Sequence, residues 1–87
     1  MYKLISRKEL KKYIPEAVKH GVSKVSRSNG FTYHYLNDNE ISNEWLKKRD
    51  GFIKRTLPQY NNNPTYRRFL SLVMWSYKPP IKHIKPL

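Results

Sequence analysis

The sequence predicts a small, mostly α-helical bundle of three to four short helices, with a short extended segment or hairpin within 22–36. Apolar residues recur with helical spacing in the segment after Asn63, and prolines and glycines divide the remaining chain into segments of helical length. The chain has 87 residues, which is enough for one core. We therefore predict one helical domain over 1–78, followed by a basic, proline-rich tail over 79–87.

The first predicted helix begins after Ser6. Ser6 and Glu9 have the spacing of a capping box, in which the serine oxygen accepts from the Glu9 amide and the carboxylate reaches back. This helix should end near residue 13, because Pro15 fits the first turn of a helix and is unfavourable in its interior.

A second helix is predicted over 15–27, with Asn29-Gly30 as a left-handed cap at its end. The alternative is a hairpin, because the same dipeptide also fits a type I′ turn and aromatic residues alternate with polar ones over 31–36. A strand at 31–36 would have no partner if the second helix forms. We therefore expect 31–36 to be an extended segment laid over the core.

A third helix is predicted over about 40–57, with Asp38 or Ser42 as its N-cap. Gly51 is a candidate kink, because glycine costs about 1 kcal/mol relative to alanine in a helix interior. The residues that follow, 58–63, are polar and contain a proline, so we expect a loop there.

The central helix is predicted over 64–77, with Asn63 as its N-cap and Pro64 as its first residue. Its apolar residues fall on one broad arc, as expected for a helix packed on a core. The residues expected to be buried are Phe69, Leu70 and Val73.

The charge of the chain indicates a polyanionic partner. There are 18 Lys and Arg residues against six Asp and Glu residues, a formal net charge of +12. Such an excess destabilises a compact state through self-repulsion, and phosphate groups would neutralise it. Aromatic residues lie among the basic residues of the sequence. Exposed aromatic rings stack on unpaired nucleobases, which favours RNA as the partner.

The candidate nucleic-acid-binding residues are basic side chains on the polar faces of the predicted helices, together with one aromatic ring. They are Lys24, Arg27, Lys47, Lys48, Lys54, Arg55, Arg67, Arg68 and Trp75. The basic groups would bind phosphates with an affinity that falls as salt rises. Trp75 has a second interpretation, which is packing against another helix.

Other functions find less support in the sequence. The absence of cysteine excludes disulfides and thiolate metal sites, and the three histidines lack the spacing of a metal site. We expect no catalytic residue, no metal, no cofactor, no membrane association and a cytoplasmic location. Two alternatives to RNA binding stay open: an inhibitor whose basic face binds an acidic site on a host enzyme, and a small basic ribonuclease toxin.

Five basic stretches carry a resemblance to known proteins. They are Arg7-Lys8, Lys11-Lys12, Lys47-Lys48-Arg49, Lys54-Arg55 and Arg67-Arg68. With its short length and its lack of cysteine, the chain resembles early gene products of large lytic bacteriophages. Among these it is similar in size and charge to phage-encoded RNA-binding inhibitors of the ToxN toxin of ToxIN toxin-antitoxin systems. The resemblance implies non-catalytic inhibition in the host cytoplasm, with RNA and a toxin ribonuclease or another defence protein held in one complex.

Overall fold

Helices form most of the described chain. The computed structural model describes residues 2–22 and 30–79, and these residues form four α-helices. They are α1 (Arg7–Lys19), α2 (Phe31–Asn37), α3 (Asn43–Asn62) and α4 (Tyr66–Val73). Both α1 and α3 pack against α4, which is therefore central, as predicted. The predicted class, a small and mostly helical bundle, is confirmed.

Helix α1 passes through Pro15 without a break, so the prediction that this proline separates two helices is wrong. Proline removes one backbone hydrogen bond from a helix interior, and here that bond would have used the carbonyl of Lys11. Both residues are exposed, so water can reach the carbonyl that lost its partner. The cost of the proline is thereby reduced.

Helix α1 ends in a Schellman motif at Gly21. The φ angle of Gly21 is +68°, in the left-handed region that glycine enters without a steric penalty. Its amide donates to the carbonyl of Val18 at 3.2 Å, and the amide of Val22 donates to the carbonyl of Ala17 at 2.9 Å. Val22 and Ala17 are both buried and belong to the apolar core.

The segment after α1 differs from the predictions. The helix predicted over 15–27 ends at residue 19, and its later part lies outside the described residues. Gly30 is the N-cap of α2 with φ of −104°, so it is not a left-handed cap. Residues 31–36 are helical and neither extended nor part of a hairpin. Phe31 and Tyr35, four positions apart, are both buried, whereas Tyr33 between them is 44% exposed. A helix places residues four apart on one face, while an alternating strand would have placed all three rings on the same side.

Helix α3 is longer than predicted. Its N-cap is Ser42, one of the two predicted caps, and the Ser42 hydroxyl accepts from the Trp45 amide at 3.3 Å. The helix continues through Pro58, so the loop predicted over 58–63 is wrong apart from its final residue. Tyr60 is fully buried in the last turn, and burial of this large ring favours continuing the helix past the proline.

Helix α4 is shorter than the predicted 64–77. Thr65 is its N-cap in place of Asn63, and the Thr65 hydroxyl accepts from the Arg68 amide at 3.2 Å. The predicted burial of the apolar arc is confirmed. The residues concerned are Phe69, Leu70 and Val73, none of which is more than 2% exposed.

A second Schellman motif follows α4 and stops the helix before the predicted end. Ser76 has φ of +60°, a conformation that glycine more commonly supplies. Its amide donates to the carbonyl of Val73 at 2.8 Å, and the amide of Tyr77 donates to the carbonyl of Leu72 at 3.1 Å. The Ser76 hydroxyl donates to the carbonyl of Ile5 at 3.1 Å, which ties this turn to the N-terminal segment.

Arg49 is fully buried and joins three parts of the chain. Its guanidinium donates to the backbone carbonyls of Tyr2, Lys3 and Trp75 at 2.7 Å each and to that of Ser76 at 3.0 Å. Burial lowers the pKa of Arg49, and the carboxylate of Asp50, 3.7 Å from Nη1, opposes that change. Arg49 is therefore a structural residue, although in sequence it belongs to a basic stretch.

Four aromatic rings form a column beside Arg49. Phe52 stacks on Trp75 with ring centroids 4.8 Å apart, and Trp75 stacks on Phe31 at 5.5 Å. Phe31 stacks in turn on Tyr35 at 5.5 Å, and the Arg7 guanidinium lies 4.7 Å from the Tyr35 ring centroid. The column connects α1, α2 and α3 with the turn that follows α4.

The segment after α4 also contacts the start of α1. The predicted cap is present, because the Ser6 hydroxyl accepts from the Glu9 amide at 3.1 Å. The Glu9 carboxylate does not reach back as predicted, since it accepts from Lys78 Nζ at 3.1 Å. Pro79, predicted as the first residue of the tail, is fully buried. The remainder of that predicted tail lies outside the described residues.

Candidate nucleic-acid interface

Four of the predicted binding residues lie on one exposed face of α3. They are Lys47, Lys48, Lys54 and Arg55. At 3.6 residues per turn, the first and third point within about 20° of each other, as do the second and fourth. The buried side of the helix, which includes Ile53 and Tyr60, lies opposite. We refer to these four residues as the α3 basic face.

The cations of the α3 basic face are available to a ligand. None of them forms an ion pair among the described residues. Arg55 Nε donates to the Gly51 carbonyl at 3.3 Å, and Lys48 Nζ lies 4.7 Å from the centroid of the Trp45 ring. Gly51 lies between the two pairs of basic residues, and a methyl group added at Gly51 would meet nothing within 4 Å. Glu44, in the first turn, is an acidic residue on the same side of the helix.

Arg67 and Arg68 are held by backbone carbonyls at the ends of two other helices. Arg67 is exposed, and its Nη2 donates to the Gly21 carbonyl at 3.2 Å, where α1 ends. Arg68 is half-buried, and its Nη1 donates to the Asn63 carbonyl at 3.3 Å, where α3 ends. Arg68 is thus beside α3, whereas Arg67 lies at the end of α1.

Trp75 lies in the aromatic column and not on an exposed helix face. It is half-buried, follows the end of α4, and stacks on both Phe31 and Phe52. This placement favours the packing interpretation over stacking on a nucleobase. The two remaining candidates, Lys24 and Arg27, lie outside the described residues.

A second basic face, not predicted from the sequence, lies on α1. Its residues are Lys8, Lys11, Lys12 and Lys19, all exposed. Because α1 is continuous, Lys8, Lys12 and Lys19 point within about 40° of one another. Treating Pro15 as the boundary of two helices hid this alignment. Predicting a continuous helix with Pro15 on its solvent side would have shown the alignment of these lysines.

An open groove lies beside the α3 basic face. Its volume is about 740 Å³, and its walls are formed by Tyr2, Lys54, Leu57, Pro58, Asn61 and Asn62. Five of these residues come from the second half of α3, which the sequence had partly assigned to a loop. The groove could therefore not be predicted from the sequence. Lys54 belongs to both the groove and the α3 basic face.

The described part of the chain offers neither a metal site nor a membrane-spanning helix. No three of its His, Asp and Glu side chains lie close enough together to hold a metal ion. Among its helices, none combines the length and the hydropathy needed to cross a membrane. The α3 basic face is taken as the candidate site because a groove adjoins its exposed cations.

Comparisons with protein-family models, with curated proteins and with solved structures gave no match to this chain. The resemblance to phage-encoded inhibitors of ToxN stays a prediction. The placement and chemistry of the residues are the basis for the function proposed below.

Proposed function

We propose that the protein binds RNA, in particular unpaired RNA, through the α3 basic face and does not cleave it. The observation that carries the proposal is the set of four exposed cations on one side of α3 with no ion-pair partner in the described structure. Their placement opposite the buried side of the helix lets a ligand contact all four without disturbing the core.

The expected contacts are with phosphates. Lys47 and Lys54 are seven residues apart, as are Lys48 and Arg55, so each pair spans about 10 Å along the helix axis. The four cations can therefore follow a stretch of nucleic-acid backbone. Four phosphate contacts to a single strand should give a slope of about −2.8 when the logarithm of the binding constant is plotted against that of salt concentration.

A pair of variants with equal charge tests the assignment to α3. One replaces the four residues of the α3 basic face by Gln, and the other replaces the four lysines of the α1 face by Gln. Each loses four positive charges, so a difference between them reports position and not net charge. Fluorescence anisotropy with a labelled single-stranded RNA at several salt concentrations is the measurement.

The α3 variant is expected to lose most of the affinity and to show a salt slope smaller in magnitude by about 2–3. The α1 variant should keep more of the affinity and a steeper salt slope than the α3 variant. Equal losses would mean that net charge alone drives binding, and a greater loss in the α1 variant would place the site on α1. Absence of binding by the unaltered protein at low salt would overturn the proposed function. Because the proposal is binding without cleavage, we expect the RNA to be recovered at full length after incubation. Cleaved RNA would favour the ribonuclease alternative.

The resemblance to ToxN inhibitors extends the proposal to a protein partner. In this form, the RNA-bound protein holds a toxin ribonuclease or another host defence protein in an inactive complex. Capture of partners from a host lysate before and after nuclease treatment tests it. A complex bridged by RNA should be lost with nuclease, and a partner that stays bound would favour direct recognition of an acidic protein surface.

A further inference from the structure

The groove beside the α3 basic face has the composition of a site for a flat, partly polar ring. Tyr2 and Leu57 are half-buried, and with Pro58 they form its apolar part. Asn61 and Asn62 are exposed, and each carboxamide offers both a donor and an acceptor. The volume of about 740 Å³ falls within the usual range for small-molecule sites.

The aromatic wall of the groove is fixed by the fold. The carbonyl of Tyr2 accepts from Arg49 Nη1 at 2.7 Å, which anchors its backbone to the buried guanidinium. The Tyr2 ring meets the Tyr77 ring edge to face, with centroids 5.4 Å apart and planes at 70°. A ring anchored through its backbone and by one neighbouring ring loses little conformational entropy when a ligand stacks on it.

Charge identifies the class of ligand. Lys54 lines the groove and also belongs to the α3 basic face, so the ring that occupies the groove should be attached to an anionic backbone. Nucleotides combine these features, since they carry a flat base with donors and acceptors at its edge beside a phosphate. In a paired strand the base is stacked inside the duplex and would not reach the groove.

We propose that the groove binds one unpaired base of RNA while the adjoining phosphate contacts Lys54. The inference rests on the proposed function, since the α3 basic face supplies most of the affinity for the phosphates. The base would stack on Tyr2 against the apolar side of Leu57 and Pro58. The amides of Asn61 and Asn62 would bind its edge.

The test compares a short single-stranded RNA with an abasic oligomer of the same length and phosphate number, by fluorescence anisotropy at one salt concentration. The full protein is expected to prefer the RNA by roughly fivefold or more, the usual effect of stacking one base on an aromatic ring. The variants Tyr2→Ala and Asn61→Ala with Asn62→Ala should each reduce this preference and leave affinity for the abasic oligomer unchanged. The matched control is Asn43→Ala with Gln59→Ala, two exposed α3 residues that do not line the groove, and it should keep the preference.

The outcomes separate the two proposals. If the protein binds neither oligomer, the proposed function itself fails. If it binds both equally, phosphate binding stands and the base site is overturned. A preference that survives in both groove variants also overturns it. Should Tyr2→Ala fail to fold by circular dichroism, the asparagine variant decides, because both of its sites are exposed on a helix.

Discussion

The Arg49 guanidinium donates a 3.0 Å hydrogen bond to the carbonyl of Ser76, the residue whose φ of +60° ends the turn after α4. The same carbonyl accepts from the Ile5 amide at 2.9 Å. A side chain of α3 thus helps to satisfy the carbonyls of the turn that follows another helix, together with those of the N-terminal segment. One buried residue connects parts of the chain that are far apart in sequence.

Replacing Arg49 by Lys is expected to destabilise the protein by roughly 3–5 kcal/mol, although formal charge is unchanged. Lysine cannot present the planar fork of donors that reaches four carbonyls, so buried acceptors would lose their partners. Urea unfolding followed by circular dichroism measures the change. Lys48→Arg, its exposed neighbour in sequence, should change stability by less than about 0.5 kcal/mol. Equal stabilities for the two variants would contradict a structural role for Arg49.

Leu70→Ala is expected to cost about 2–5 kcal/mol, because Leu70 is fully buried in α4 at the centre of the bundle. A loss of this size is enough to unfold a domain of marginal stability. Thermal unfolding measures it, with the partly exposed neighbour Ser71→Ala as the control. Unchanged stability in the leucine variant would remove α4 from the core.

Gly51 and Gly21 offer a matched pair of alanine substitutions. At both positions an added methyl group would meet nothing within 4 Å, so the variants differ in backbone conformation. Gly51→Ala in α3 should stabilise by about 1 kcal/mol and raise the melting temperature by about 4–8 °C. Gly21→Ala, at φ of +68°, should destabilise by about 1 kcal/mol or more. Shifts of the same sign in a thermal melt would contradict the assigned conformations.

Stability is expected to fall at alkaline pH, in part because of Tyr66. Burial raises the pKa of the Tyr66 hydroxyl, and the carboxylate of Glu16 acts in the same direction. The unfolded chain loses this proton near its ordinary pKa of about 10, whereas the folded chain keeps it to higher pH. Folding therefore becomes less favourable as pH rises from about 10 through the folded-state pKa. Thermal melts at pH 9, 10 and 11 should show a smaller fall for Tyr66→Phe than for the unaltered protein, and identical falls would exclude this contribution.

The two arginines of α4 are expected to contribute more to RNA binding than the predicted tail. Arg67→Ala with Arg68→Ala removes two charges. Removal of the predicted tail, 79–87, also removes two, those of Lys82 and Lys85, and truncation after the buried Pro79 removes the same two and leaves the core intact. The arginines are already held by backbone carbonyls, so less conformational entropy is lost when they bind phosphate. Anisotropy at one salt concentration compares them. A truncation that abolishes binding while the double variant binds normally would place the site in the tail.

Local signals in the sequence were enough to predict part of the fold. The serine caps at Ser6 and Ser42 are formed with neighbouring residues, so short-range spacing identifies them. The apolar arc of α4 was predicted because its spacing alone requires one buried face. The α3 basic face could be predicted in the same way, since it lies opposite the buried residues of a single helix.

The sequence by itself therefore determined the helical class, the central helix and the exposed bases of α3, because each depends on residues within a few turns of one another. Tertiary structure decided that the helices continue through Pro15 and Pro58. The free-energy cost of a proline in a helix depends on which neighbouring groups are exposed or buried in the folded chain. Tertiary structure also decided the role of Arg49, which follows Lys47 and Lys48 in an apparently uniform basic stretch. Arg49 is buried because folding brings four carbonyls from two distant segments around its guanidinium, and no local pattern records where those carbonyls will lie.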